Sequence, residues 1–91
     1  MYALIEHLYE TRNHEYLIDK EISVYRIATT EEEICRALAE RVELLRKDED
    51  FLSDRCFSDS AYELILEHKY DGEVFEYKYV WCIIKNPTCL P

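Results

Sequence analysis

The sequence predicts a two-layer α+β domain: an antiparallel sheet of four to five strands with one helix on one face, in the order ββαββ. Three observations carry that expectation. Asp71-Gly72 separates two alternating segments with the strongest short hairpin signal available, because a type I′ turn needs φ > 0 at both central residues, which Asp tolerates and Gly takes freely. An amphipathic stretch follows Thr29-Thr30. Two further segments near the N-terminus alternate with the period of a strand.

In chain order, Tyr2 to Glu10 alternates Tyr2, Leu4, Glu6 and Leu8 against Ala3, Ile5, His7 and Tyr9. Glu21 to Ala28 alternates Ile22, Val24 and Arg26 against Ser23, Tyr25 and Ile27. Both are predicted strands, and the apolar face of this first hairpin is expected on the helix side. Thr11-Arg12-Asn13-His14 and Asp19-Lys20 each offer turn chemistry, so residues 15–18 fit either an extension of the hairpin or a loop. Thr29 or Thr30 can cap a helix, each with a glutamate three residues on, and Glu31, Glu32 and Glu33 meet the positive end of its dipole. Along that helix Ile34, Cys35, Ala37, Leu38, Val42 and Leu45 fall on the inner side, with Glu33, Arg36, Glu40, Glu43 and Lys47 opposite. Arg41 lies inside the apolar stripe, where a salt bridge to a carboxylate at the sheet is expected.

Lys47-Asp48-Glu49-Asp50 ends the periodicity, and Phe51 to Ser60 reads as a polar loop whose Phe51, Leu52 and Phe57 tuck under the sheet edge. The Asp71-Gly72 turn then sets a register in which Tyr70 faces Glu73, His68 faces Phe75, Leu66 faces Tyr77, Leu64 faces Tyr79 and Tyr62 faces Trp81. All but the Tyr70 pair are expected on the core face, with Glu63, Ile65, Glu67, Lys69, Val74, Glu76, Lys78 and Val80 on the water face. Residues 86–91, with two prolines, read as an irregular tail of the single domain 1–91.

A chain of 91 residues buries about two-thirds of its unfolded surface, enough for one small core. The net charge of −9 repels phosphate backbones and anionic headgroups, so direct binding of nucleic acid or of a membrane surface is disfavoured. No run reaches the ~20 apolar residues of a membrane span and no basic leader opens the chain, which reads as a cytoplasmic protein. Cys35, Cys56, Cys82 and Cys89 have no zinc spacing and no C-x-x-C, so reduced thiols are expected, with Cys56 and Cys89 in irregular segments. No metal and no cofactor is expected.

A single glycine excludes phosphate-cradling loops of both common types, and neither G-x-S-x-G nor H-E-x-x-H occurs. Glu67-His68 resembles an acid beside a base, but successive strand residues point to opposite faces. What remains is surface. Glu67 stands opposite Glu76, a like-charge pair costing on the order of 0.2–1 kcal/mol, which Lys69 and Lys78 can relieve diagonally. Glu63, Glu67, Asp71, Glu73 and Glu76 form one candidate anionic patch; Asp48, Glu49, Asp50, Asp54 and Asp59 form a second after the helix.

The reading that follows is a non-enzymatic binding module that engages a basic protein partner, with acids guiding encounter and aromatic anchors supplying affinity. In size and charge the chain is similar to the compact acidic inhibitors that phages make against host defences, the anti-restriction and anti-CRISPR proteins. That likeness implies a nucleic-acid mimic occupying the basic groove of a nucleic-acid-handling enzyme. A small-ligand site or minor cysteine enzyme, and a structural or self-associating subunit, are the alternatives from other classes.

Overall fold

The structure, a computed structural model, describes residues 1–86, and for residues 16–20 the backbone alone. Cys89 and the tail beyond Asn86 lie outside the described residues. The elements are β1 (Tyr2–Arg12), β2 (Glu15–Ala28), α1 (Glu31–Arg46), β3 (Phe51–Ser58), β4 (Ala61–Tyr70) and β5 (Glu73–Lys85). They form an antiparallel five-stranded sheet in the order β2-β1-β5-β4-β3 with α1 on one face, the predicted α+β architecture.

The second hairpin has the register its turn dictates. Asp71 and Gly72 take φ 51 and 78, and Tyr70–Glu73, His68–Phe75, Leu66–Tyr77, Leu64–Tyr79 and Tyr62–Trp81 pair in unbroken succession. A Cβ on Gly72 would meet nothing within 4 Å, so glycine serves there through backbone freedom alone. By the same alternation the Tyr70–Glu73 pair belongs to the helix-bearing face, not to the water face. The first hairpin settles the open question over residues 15–18 in favour of a strand. It turns on Asn13 and His14 at φ 50 and 68, and β2 begins at Glu15.

Thr30 caps α1, its Oγ1 accepting from the Glu33 N–H at 3.2 Å. The core beneath is Leu4, Ala28, Ile34, Ala37, Val42, Leu64, Leu66 and Trp81, lined by Tyr2, Tyr25, Leu38, Leu45, Tyr77 and Tyr79. Cys35, expected on the inner side, is exposed, because it looks into an opening between helix and sheet rather than onto the sheet.

Two expectations fail for one physical reason. Residues 51–58 are an edge strand, not a loop, so Cys56 lies on a strand. The pairing steps from Phe51–Leu66 to Ser53–Ile65 and from Cys56–Tyr62 to Ser58–Ala61, which makes Leu52 and Phe57 the extra residues of two bulges. Each is 52% exposed, so only Phe51 packs on the core. In β2 the pairing steps from Leu4–Arg26 to Ile5–Val24, leaving Tyr25 as a bulge. The bulge puts Ile22, Val24 and Ile27 together on the face away from the helix, and Tyr25 packs on the core instead. The first hairpin's aliphatic side therefore does not face α1 as expected; β1 supplies Leu4 to that face, and β2 supplies Ala28 and Tyr25.

Candidate functional site

On the helix-bearing face a charged network lies among the aromatic side chains. Glu6 on β1 lies across from Trp81 and accepts its indole N–H at 2.7 Å. The same carboxylate accepts Arg41 Nε at 2.9 Å and Nη2 at 3.4 Å. The Arg41 guanidinium stacks over Tyr25 and Tyr79, 4.9 and 5.6 Å from the ring centres, and Tyr79 stacks on Trp81 at 5.7 Å. Burial works against the charge of Arg41, but the Glu6 bond and charge outweigh it and the guanidinium pKa is raised. The expected salt bridge of Arg41 thus has a named partner, and Glu6 is the residue that sequence reasoning missed.

A second network ties edge strand β3 to the end of α1. Asp54 accepts from the Tyr62 hydroxyl at 2.5 Å and from Arg46 Nε at 2.6 Å, while Arg46 also donates to Tyr62 Oη at 2.7 Å and to Glu43 at 2.7 Å. The Tyr62 bond, with Arg46, holds the Asp54 carboxyl below its ordinary value against the opposing pull of burial. Asp54 is occupied in folding and offers little to a partner.

The other predicted acids are scattered over three surfaces. Glu63, Glu67 and Glu76 share the open face of the sheet, Glu67 directly opposite Glu76. There Glu63 meets Lys78 at 3.1 Å and Arg55 at 4.0 Å, and Glu67 meets Lys69 at 3.7 Å. The charged side chains described on this face are therefore Glu63, Glu67 and Glu76 against Arg55, Lys69 and Lys78, a balanced set and not an anionic patch. Glu73 lies on the helix-bearing face, paired with Arg12, and Asp71 is exposed at the turn.

After the helix, Asp48 accepts the Asp50 N–H at 2.8 Å and Asp50 lies 3.3 Å from His68 Nδ1, leaving Glu49 exposed. The Glu67 N–H donates to the Asp50 carbonyl at 2.8 Å, so the two predicted patches meet at the backbone. The carboxylates of Glu63, Glu67 and Glu76 nevertheless open onto the face opposite that of Asp54 and Glu73.

The largest share of the acid surplus lies on the helix layer. Between Glu31 and Asp50 the chain has eight carboxylates and four cations, and one of those cations, Arg41, is turned inward onto Glu6. Glu31, Glu32, Glu33, Glu40 and Glu43 are all exposed on α1, with Leu44 exposed among them. Counting charge per element, rather than seeking rule-breaking pairs in the hairpin, would have found this surface from sequence.

Beside the helix a cleft of about 310 Å³ is lined by Cys35, Leu38, Val42, Arg46, Asp59 and Tyr62. Its thiol is exposed, the Cys56 thiol donates to the Ser58 carbonyl at 3.2 Å, and burial pushes the Cys82 thiol up, away from nucleophilic character. Among the described residues no helix is long and apolar enough to cross a membrane. Compared with known protein families, with curated proteins and with solved structures, the chain matches none.

Proposed function

We propose that the protein is a non-enzymatic binding module, an acidic inhibitor that engages a basic, nucleic-acid-handling protein through its helix layer. One observation carries this reading: the charge surplus is segregated, with a balanced sheet face on one side and the glutamate-rich helix with Asp48, Glu49 and Asp50 on the other. A merely solvating coat needs no such segregation. The five α1 glutamates, Glu31 to Glu43, span roughly 18 Å of helix, about one carboxylate per 4 Å, against one phosphate per ~3.4 Å along a DNA strand. That density suits a groove shaped for a phosphate backbone. Charge of this kind governs encounter and partner choice, and Leu44 supplies an apolar contact in its midst.

The test is affinity capture from a lysate at low salt, comparing the native chain with Glu33→Lys, Glu40→Lys, Glu49→Lys. These positions are exposed and bonded to no cation among the described residues, so their reversal removes no packing; Glu33→Lys forfeits its favourable place at the α1 N-terminus, worth about 0.3–1 kcal/mol. A basic protein should be held by the native chain, released by salt, displaced by DNA or RNA, and lost from the reversed chain. Retention indifferent to both the reversal and added nucleic acid would overturn the reading.

A further inference from the structure

The open face of the sheet has a second property besides its balanced charge. Reading across the strands, Ile27–Ala3–Ile84 forms one row, Val24–Ile5–Cys82–Ala61 the next, and Ile22–His7–Val80 leads the third before Glu63 and Arg55 begin the charged end. This end is therefore a continuous aliphatic surface. Its outer members are not partly shielded: Ile22 is 67% exposed, and Val24 and Ile27 are 57% exposed. The molecule is 18 Å through its thinnest direction, the depth of one sheet and one helix, so among the described residues no further layer covers this side. Apolar surface of this extent on a sheet face marks an interaction site.

We infer that this face binds a second copy of the chain, the two sheets stacking face to face with their aliphatic ends together. Three observations select that occupant. The first is charge: chains of net charge −9 repel one another through most of their surface, but the described charges of this face cancel. It is the side on which a like molecule can approach. The second is area. Five strands at ~4.8 Å and about eleven residues at ~3.4 Å give a whole face, aliphatic and charged ends together, of roughly 900 Å², of the order of the ~800 Å² per partner of a standard stable interface. The third is the state of the edges. Both outer strands, β2 and β3, are interrupted by bulges, which discourage a copy from adding strand to strand. Stacking sheets leave ~10 Å between them, the space that interleaved Ile and Val side chains fill. Each protomer then presents its helix layer outward. Cys82, in the middle of the second row, becomes buried.

Sedimentation equilibrium of the full chain over a wide concentration range tests this. The mass should rise from 11.0 kDa to twice that value with concentration, and added salt should tighten the pair by screening the mutual repulsion. Partner capture by the helix layer has the opposite salt dependence, so the failure of either reading leaves the other standing. Ile22→Lys with Val24→Lys should return the mass to the monomer without loss of circular dichroism signal. Should the lysines unfold the strand, Val24→Thr keeps the β-branched shape and should still weaken association roughly tenfold or more, since an isologous interface counts each change twice. In the native chain, maleimide labelling of Cys82 should slow as concentration rises while Cys35 and Cys56 label at a constant rate. A monomer at every concentration and salt, association undiminished in the folded variants, or Cys82 labelling that ignores concentration would each overturn the inference.

Discussion

The two hairpins are built to the same plan and held by different means. Each turns on two residues with positive φ, Asn13 and His14 in one, Asp71 and Gly72 in the other. From there they diverge. β4 and β5 pair without a shift from Tyr70–Glu73 to Ala61–Cys82, whereas the β1–β2 pairing shifts at three places. β1 itself is not the irregular partner, for it pairs with β5 without interruption from Tyr2–Lys85 to Arg12–Phe75. The irregularity belongs to β2, as it does to β3 on the opposite edge. A strand paired on both sides must keep step with both neighbours, while an edge strand answers to one and can absorb an extra residue.

This contrast locates the largest mutational effect at the seam between the hairpins. Glu6→Ala would leave the Arg41 guanidinium and the Trp81 N–H without their acceptor in the middle of the β1–β5 pairing. It should cost roughly 3 kcal/mol in denaturant melts. Two separate transitions in place of one weakened transition would show that the hairpins fold as independent units.

Next in size is the turn of the regular hairpin. Gly72→Val forces a β-branched residue to the observed φ of 78 and should destabilise the fold by at least ~1 kcal/mol. A neutral outcome would mean that strand pairing, not the turn, sets the register.

At the other edge, Tyr62→Phe removes the largest influence holding the Asp54 carboxyl low and should cost about 1 kcal/mol at neutral pH. The direction of its pH dependence follows from the sign of the shift. A carboxyl whose folded value is depressed contributes its full stability above its unfolded value and loses it as pH falls through the folded one. The gap between native and variant should therefore be widest near neutrality and narrow in acid; a gap that widened in acid would show that Asp54 is not the group affected.

The smallest effect belongs to the irregular hairpin's turn. His14→Gly relieves a side chain held at φ 68 but adds backbone entropy to the unfolded chain, so a gain of no more than about 0.5 kcal/mol is expected. A gain matching the loss at Gly72 would erase the distinction between the two turns.

The same contrast explains what could be read from residues alone. The register of the second hairpin is legible to the residue, the facing of its Tyr70–Glu73 pair aside, because Asp71-Gly72 fixes the pairing and nothing interrupts the alternation after it. A cap at Thr29 or Thr30 and the stripe along α1, Cys35 apart, are legible because capping and a 3.6-residue period are local properties. β3 is not, since two bulges within eight residues destroy the period by which a strand is recognised. The facing of Ile22 and Val24 was lost in the same way at Tyr25. The candidate site is less legible, because a pair such as Glu67–Glu76 is conspicuous in a register diagram, yet the reach of Lys69 to Glu67 and of Lys78 to Glu63 is a matter of side-chain conformation. The helix glutamates serve the dipole and the outer face one by one, and only their sum over the element marks them as a surface.

The bulge at Tyr25 can also be put in terms of the reading frame. With that one codon removed, Arg26 would still pair with Leu4 and Val24 with Ile5, and every flanking side chain would keep its present face. The strand is thus a regular one with a single residue interposed, and that residue carries the ring against which Arg41 lies. An in-frame loss of this codon would be tolerated by the backbone ladder and noticed by the guanidiniums of Arg41 and Arg26 and by the core that the ring packs against. Lengths of β2 that differ by one residue would therefore be compatible with the same sheet, so that the presence or absence of a tyrosine, rather than a change of topology, would distinguish them.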